Sequence, residues 1–447
     1  MNQYDLVIKD ARLVDPERSD IFCSSIGIKD GFIAEIGEDI HEGERNISAE
    51  GCFVCPGFID THMHDEDPYD PDTTQKALLR QGVTTGIAGN CGSGPLLEKI
   101  APSRSTPWIN IGYLTGHRSL REEVGIPEEQ RYRPAREDEI SRMRALLLSE
   151  LKKGSFGLSL GLEYAPNTSW EEIVALSELV PSFPCRWVSS HIRYDGPRCI
   201  EGVEEMVSLS EVTGARVQLS HLGSMTAFGR SAEALDILHK AVSRGIDLTW
   251  DSYPYAAFCT FLGSAVFDPG FEERFKKPIH ALEIGSGSNA GKRMDGELFE
   301  KLRKEEPETL IIAHVMNEEE MRLVQKDPRC AIASDAILLK GGGHPRAAGA
   351  FPRGILWLRE EGLSWNEAIS HATSIPAGMT WLERGYLKPG TPADLVVFDP
   401  LTFMDRATFE KPLLPPEGIG YVIVNGQVAV EEGKVNEKPA GQFLTRI

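Results

Sequence analysis

The sequence predicts an α/β protein, a (β/α)8 TIM-like barrel with a small β-sandwich domain built from both chain termini. Three observations carry this. Short β-type runs with tight-turn signals occupy both ends of the chain, strand-then-helix patterns alternate between them, and several of those strands end in histidine, cysteine or acidic residues. In such a barrel, chemistry sits at the C-terminal ends of the strands, which face one mouth.

Residues 1–56 form the N-terminal part of the sandwich. Asp5-Leu-Val-Ile8 and Ser25-Ile-Gly-Ile28 are β-type runs, and the second leads through Asp30-Gly31 into Phe32-Ile-Ala-Glu-Ile36. Asp-Gly between apolar runs marks a hairpin, because both turn residues tolerate positive φ. Residues 384–447 repeat the pattern. Ala393-Asp-Leu-Val-Val-Phe398 is a strand, and Tyr421-Val-Ile-Val424 turns through Asn425-Gly426 into Gln427-Val-Ala-Val430. Each piece is too short to bury a core alone, so the two pair into one domain. Cys52-Phe-Val-Cys55 has C-x-x-C spacing but no second pair to complete a four-thiolate zinc site, and it reads as buried structural thiols.

Residues 57–383 hold the barrel. Gly57-Phe-Ile-Asp-Thr-His-Met-His64 is an apolar strand ending in two histidines one residue apart, so His62 and His64 point the same way. Gly82-Val-Thr-Thr-Gly-Ile-Ala88 is the second strand, running on to Asn90-Cys91-Gly92, and Trp108-Ile-Asn-Ile-Gly112 is the third. A helix follows with Ile140, Met143, Leu147 and Leu151 on one stripe, stopped by Lys152-Lys153-Gly154. Phe156-Gly-Leu-Ser-Leu-Gly-Leu162 is the fourth strand, and Ser169 with Glu172 matches a capping box opening the next helix. Trp187-Val-Ser-Ser-His191, Val217-Gln-Leu-Ser-His221, Ile246-Asp-Leu-Thr-Trp-Asp251 and Cys330-Ala-Ile-Ala-Ser-Asp335 are strands five to eight. Ser364 and Glu367 offer another capping box.

Between the last two strands, residues from about 265 to 328 break the rhythm with a charged, Gly/Ser-containing segment holding one extra apolar run, Leu310-Ile-Ile-Ala-His314. It reads as an insertion over the barrel mouth. Its Gly285-Ser-Gly-Ser-Asn-Ala-Gly-Lys292 is one residue too long for a phosphate loop and carries Arg293 where Ser or Thr should hold magnesium, so it is a plain loop.

Composition narrows the function. Sixty-seven acidic against 47 basic residues give a formal charge of −20, which repels nucleic acid and anionic lipid surfaces. No apolar run reaches the ~18 residues that span a bilayer. Acids at Asp5 and Asp10 fall where a signal peptide needs an apolar core. Eight scattered cysteines form no disulfide framework. The expectation is a cytoplasmic protein with a small-molecule partner, without nucleic-acid or membrane partners, and with room for a homo-oligomer.

At the strand ends stand His62 and His64, Cys91, Glu163, His191, His221 and Asp335. Singly, these read as a buried thiol, core histidines and turn residues. Jointly, on one rim, imidazoles and a thiolate read as zinc ligands, few enough to leave room for water or substrate.

With Gly82-Val-Thr-Thr85, Gly89-Asn-Cys-Gly92, Gly116-His-Arg118, Gly161-Leu-Glu-Tyr164, Ser190-His-Ile-Arg193, Leu219-Ser-His221, Asp251-Ser-Tyr-Pro-Tyr255, Ser334-Asp335 and His344-Pro-Arg346, the chain resembles the D-aminoacylase (N-acyl-D-amino-acid deacylase) branch of the amidohydrolase superfamily. Arg384-Gly-Tyr-Leu-Lys-Pro-Gly-Thr-Pro-Ala-Asp-Leu-Val-Val-Phe-Asp399 is similar to the superfamily's return into its β domain. The resemblance covers nearly the whole chain in order, and Gly-Asn-Cys-Gly together with H-x-H marks the branch.

The resemblance implies that Cys91, His191 and His221 hold a tight zinc, and that His62 and His64, with Cys91 bridging, form a second, weaker site. Glu163 stands where relatives of other branches place a bridging carboxylate or modified lysine, and reads either as a further ligand competing with Cys91 or as a residue that simply lines the pocket. Asp335 is implied as general base and acid, taking a proton from the activated water and returning it to the amine. An N-acyl amino acid carries an α-carboxylate, for which arginine is a bidentate partner. Arg193, Arg346, Tyr253 and Tyr255 lie in the motifs where the branch places such contacts. The implied reaction is zinc-dependent deacylation of an N-acyl-D-amino acid or close analogue. A dipeptidase for unusual linkages, a cyclic-amide hydrolase, a sugar N-deacetylase and a catalytically silent scaffold stay open at this point. The chain departs from the pattern where Ala336 follows Asp335 in place of glycine, where Tyr194-Asp-Gly196 follows H-x-R, and in its short insertion. Gly161-Leu-Glu-Tyr164 contains no lysine, which argues against a carboxylated-lysine bridge.

Overall fold

The structure, a computed structural model, describes residues 3–40, 42–66, 69–100 and 106–446. The N-terminal segment supplies β1 Leu6–Leu13, β2 Phe22–Lys29, β3 Phe32–Gly37, β4 Arg45–Ser48 and β5 Phe53–Pro56. The barrel region follows with β6 Phe58–Met63, β7 Val83–Ala88, β8 Asn110–Tyr113, β9 Thr115–Gly116, β10 Gly157–Gly161, β11 Trp187–His191, β12 Val217–Leu219 and β13 Leu248–Ser252. The insertion contributes β14 Phe258–Phe261, β15 Leu282–Ile284 and β16 Leu310–Ala313, and β17 Cys330–Ile332 returns to the barrel. A small hairpin of β18 Leu338–Leu339 and β19 Gly342–Gly343 comes next. The chain closes with β20 Leu395–Phe398, β21 Ile419–Val424, β22 Gln427–Glu431 and β23 Lys434–Val435.

Parallel pairing runs through β6, β7 and β8 in one sheet and through β9, β10, β11, β12, β13 and β17 in another. The sheets are continuous because β8 and β9 are one strand interrupted at Leu114, whose N–H donates to Ala88 O at 3.0 Å. The eighth position meets the first where Asp335 N donates to His62 O at 2.8 Å and His64 N to Ala336 O at 3.1 Å. Strands β6, β7, β10, β11 and β13 are buried along their whole length, as parallel strands covered on both faces must be. Outside them, the helix Glu137–Lys153 buries Met143, Leu147 and Leu151 and ends at Gly154 with φ 107°. Only glycine takes that conformation without strain.

The two expected capping boxes come out differently. Ser364 and Glu367 form theirs in full. Ser169 accepts from Glu172 N, but the Glu172 carboxylate turns inward to His117 and Arg121 instead of back to the helix start. A buried imidazole and guanidinium outcompete one backbone donor.

The insertion starts at Phe258, ahead of the expected 265, because β14 pairs with β16 from Phe258↔Ala313 onward. The extra apolar run is the central strand of a three-stranded antiparallel sheet. Leu262, Phe267, Phe271, Phe275, Ile284 and Ile311 give it a core of its own.

Both termini enter one sheet, ordered β23, β22, β21, β20, β5, β1, β2, β3, with β4 against β1. The two halves join where β5 and β20 run antiparallel, Val54 opposite Val397. The sheet curls around Leu6, Ile8, Ile26, Ile28, Leu395 and Ile423. The segment entering β20 meets both hairpin turns: Ala393 N donates to Gly31 O at 2.8 Å and Gly426 N to Ala393 O at 2.9 Å. Asp30-Gly31 and Asn425-Gly426 all have positive φ, as hairpin turns of this kind require. The last residues leave this unit. Leu444 N donates to Ile111 O at 2.7 Å and Ile111 N donates to Gln442 O at 2.9 Å, so the tail packs on barrel strand β8. Gly441 permits it, since a Cβ there would lie 2.1 Å from Ile109 O. No helix among the described residues is long and apolar enough to cross a membrane.

Candidate metal centre

Strand β6 delivers His62 and His64 to the rim, and Asp60 below them ties that strand to the eighth. The Asp60 carboxylate accepts from His62 N and Ser334 N, each at 3.1 Å. Cys91 sits in a turn of left-handed residues, with φ of 82° at Gly89, 52° at Cys91 and 79° at Gly92. Asn90 pins that turn by donating to Ile87 O at 2.9 Å and accepting from Ser189 Oγ at 2.8 Å. Gly161 and Gly116 let it approach: a Cβ on Gly161 would lie 2.1 Å from Cys91 O, and one on Gly116 2.3 Å from Gly92 O.

The donors converge. Cys91 Sγ lies 3.3 Å from His62 Nε2 and 3.5 Å from His221 Nε2. Asp335 Oδ1 lies 3.4 Å from His62 Nε2 and 3.3 Å from His64 Nε2. Candidate ligand atoms fall into two groups, each within 4.8 Å: His62, His64, Cys91 and Asp335, and Cys91, His191 and His221. Zinc bonds of ~2.3 Å to sulfur and ~2.0–2.1 Å to nitrogen place tetrahedral neighbours about 3.5 Å apart. The observed sulfur–nitrogen separations match that edge, so the residues present fit zinc.

Outer partners orient the rings, as metal-ligating histidines require. Glu66 Oε1 holds His64 Nδ1 at 2.7 Å, and Ser224 Oγ holds His221 Nδ1 at 3.0 Å. Asp251 stands 3.5 Å from His62 Nδ1 and is itself fixed by His221 N and Gln218. Glu163 lies 2.8 Å from His191 Nε2, leaving His191 Nδ1 buried without a hydrogen-bond partner.

Charge follows geometry. Burial raises the Cys91 thiol, but the imidazoles of His62, His191 and His221 outweigh it and hold Cys91 well below the usual thiol range, as a thiolate. Burial also works against ionised Asp335. Arg346, His62 and His64 prevail and hold it below the ordinary carboxylate value.

A cavity of about 230 Å3 opens on this site. His64, Cys91 and Asp335 line it together with Tyr69, Ser93, Arg118, Glu128, Arg131 and insertion residues Phe261, Ser264 and Glu308. A smaller cavity of about 30 Å3 lies against His191, His221, Tyr253 and Asp335.

Four sequence expectations need correction. Glu163 belongs to neither donor group and instead holds His191. Arg193 turns away from the cavity: Glu205 takes its Nε and Nη2, and the carbonyls of Pro166 and Thr168 take Nη1. Tyr255 packs edge-on against His344, 5.0 Å between rings, and lines neither cavity. Arg346 is fully buried with Nη2 2.9 Å from Asp335 Oδ2, so it braces the carboxylate rather than facing the cavity. Tyr253 does line the smaller cavity, its ring 4.5 Å from the Arg346 guanidinium carbon. Glu66, Asp251, Ser224 and Arg118 were not singled out as site residues. Asp251 carried a signal as the end of the seventh strand, Arg118 within Gly116-His-Arg118, and Glu66 as an acid two residues beyond the second histidine; Ser224 carried none.

The amidohydrolase family model matches residues 217–430. N-acyl-D-glutamate deacylase of Alcaligenes xylosoxydans xylosoxydans is 30% identical, over 99% of this chain and 96% of its own. D-aminoacylase of the same organism is 29% identical, over 99% and 98%. The crystal structure of N-acyl-D-glutamate deacylase from Bordetella bronchiseptica, complexed with zinc and a phosphonate mimic of the tetrahedral intermediate, superposes with a TM-score of 0.86 at 28% identity, covering 99% of this chain and 100% of that one. With its H-x-H strand, its shared Cys91 and this full-length similarity, the chain belongs to the amidohydrolase family, in the D-aminoacylase (N-acyl-D-amino-acid deacylase) branch.

Proposed function

We propose that the protein deacylates N-acyl-D-amino acids, using zinc held by Cys91, His191 and His221. A second, weaker position is formed by His62, His64 and Asp335 around the same thiolate. The observation that carries this is the position of Cys91 in both donor groups, in one of them beside Asp335, with both residues lining the cavity. The relatives named for D-amino-acid deacylation, and the zinc in one of them, support it.

When bound, zinc supplies a Lewis acid that polarises the amide carbonyl and lowers the pKa of water. The chain's own residues do the remainder. Arg346 fixes Asp335 Oδ2, so Oδ1 faces His62 and His64. As water adds to the carbonyl carbon, Asp335 accepts its proton. The C–N bond then breaks and Asp335 returns the proton to the departing nitrogen, giving a carboxylate and an amine. Glu66, Ser224 and Glu163 keep the imidazoles in register throughout. No serine or cysteine nucleophile takes part, and the substrate is a small molecule bearing a carboxylate.

A panel of N-acetyl-D- and L-amino acids, dipeptides, hydantoins and acetylated sugars tests this on zinc-loaded protein. The expected outcome is turnover of the N-acetyl-D-amino acids. Turnover confined to any other class overturns the proposal.

A further inference from the structure

We infer that Arg274 is a positioning residue: reaching out of the insertion, it steadies Glu163 and through it the zinc ligand His191, so the metal centre is complete only when the insertion is seated on the barrel. The inference rests on the zinc site proposed above and not on which amide is cleaved.

Arg274 lies in the short insertion helix Phe271–Phe275, whose end residues belong to the insertion's own core. That helix docks on barrel segments. Phe275 stacks on Phe228 with 5.6 Å between rings. Gly196, at φ 59°, lets Arg274 come close, since a Cβ there would lie 3.3 Å from Arg274 Cγ and 3.4 Å from its carbonyl oxygen. The guanidinium then turns inward. Nη2 donates to Val266 O. Nε lies 3.0 Å from Asp195 Oδ1 and Nη2 3.8 Å from Glu163 Oε1. The other oxygen of Glu163, Oε2, is the one 2.8 Å from His191 Nε2.

Charge explains why a cation is needed here. Glu163 follows β10 and Asp195 follows β11, so neighbouring strands bring two buried carboxyl groups together. Neither Glu163 Oε1 nor Asp195 Oδ1 accepts a hydrogen bond, and carboxylates buried without a partner are costly. Among the described residues, Arg274 is the one arginine or lysine paired with either of them. Arg193, nearer in sequence, is committed to Glu205. Burial and Glu163 push the Asp195 carboxyl well up, and Arg274 and His191 oppose them. Without Arg274, Glu163 faces Asp195 uncompensated and its hold on His191 loosens. Glu163, Asp195 and His191 line the smaller cavity together with Phe258 and Val266 of the insertion, so insertion and metal centre meet at this point.

The test compares wild type with Arg274→Met, Arg274→Lys, Glu163→Gln and the double variant carrying Arg274→Met and Glu163→Gln. It reads zinc affinity by competitive chelation, kcat and KM on the N-acetyl-D-amino acid that wild type turns over fastest, and melting of the zinc-free protein. Outer partners of metal-bound histidines are worth about 10- to 100-fold in metal affinity. Arg274 stands one contact further out, so Arg274→Met should weaken zinc by about 5- to 20-fold and lower kcat, with KM within about threefold of wild type. Arg274→Lys keeps the cation and should recover part of the loss. Because Arg274 acts through Glu163, Arg274→Met should add less than about twofold to the effect of Glu163→Gln. Zinc affinity of Arg274→Met within about twofold of wild type, or losses that multiply in the double variant, overturn the inference. So does a loss confined to KM and melting temperature, which marks a residue that only packs the insertion. Should Arg274→Met not fold, Arg274→Gln replaces it under the same criteria. If wild type holds zinc but turns over no N-acetyl-D-amino acid, the deacylase reading has failed and the zinc affinities decide alone. If wild type holds no tight zinc, the zinc reading has failed and the inference falls with it.

Discussion

Cys91, His221 and Asp335 all hold left-handed backbone conformations, with φ of 52°, 35° and 46°. A residue with a Cβ resists that region at about 1–3 kcal/mol, and such strain persists where the surroundings fix it. Here it aims Cys91 at both donor groups, Asp335 at one and His221 at the other. Asp335→Asn keeps the shape but cannot take up a proton, so kcat should fall by about 10²- to 10⁴-fold while zinc is retained, as read by kinetics and metal analysis. A variant within about tenfold of wild type would remove Asp335 from its role. Glu172 makes a second prediction. Burial raises its carboxyl, yet His117 and Arg121 bring it down to about 2 from an ordinary 4.5. A depressed carboxylate stabilises above its unfolded pKa, so the contribution, about 3 kcal/mol, is present at neutral pH and lost as pH falls from about 4.5 to about 2. Thermal melts of Glu172→Gln should lie below wild type at pH 7 and approach it toward pH 2. The histidines, Cys91 and Asp335 were legible because each ends a strand pattern. Arg193 turns elsewhere because a place in a shared motif says nothing of which way a long side chain turns. Ser224 gave no signal, and Asp251, though it ends the seventh strand, gave none of its role, since their pairing with His221 and His62 exists only after folding.

At the scale of elements, the site depends on a loop lying close against two strands. Gly161→Ala would put a methyl 2.1 Å from Cys91 O, against backbone that cannot yield cheaply. The expected outcome is a folded protein with displaced Cys91, losing about 1–3 kcal/mol of stability and binding zinc more weakly, measured by melting and competitive chelation. Unchanged zinc affinity would show that the turn can relax. Strand type and order were readable, because parallel strands buried on both faces appear as unbroken apolar runs. Strand β14 was missed because Phe258-Cys-Thr-Phe261 is short and gains its identity from pairing with β16, far along the chain. The full capping box at Ser364 followed its local pattern, whereas Glu172 was drawn inward by residues of another segment.

Across the whole molecule, one buried carboxylate joins barrel and terminal sheet. Asp394 accepts from Arg384, from Asn425 N at 2.7 Å and from Asn110 Nδ2 at 3.3 Å, while its carbonyl accepts from Gly57 N at 2.7 Å. Asp394→Ala strands Arg384 in the interior and should destabilise by about 3–5 kcal/mol, seen as a lowered Tm. A melt unchanged from wild type would mean the two units are held by apolar contact alone. The pairing of the termini was legible from their turn signals; the tail's return to β8 was not, because Gly441 marks it only through the close approach it allows. The central claim is that one thiolate serves both metal positions used in deacylation. The most direct measurement is the zinc content of wild type and Cys91→Ala after exhaustive dialysis, with hydrolysis of N-acetyl-D-amino acids followed on the same samples. Wild type should retain tight zinc and activity while the variant loses both; a variant with full zinc and full activity would contradict the claim.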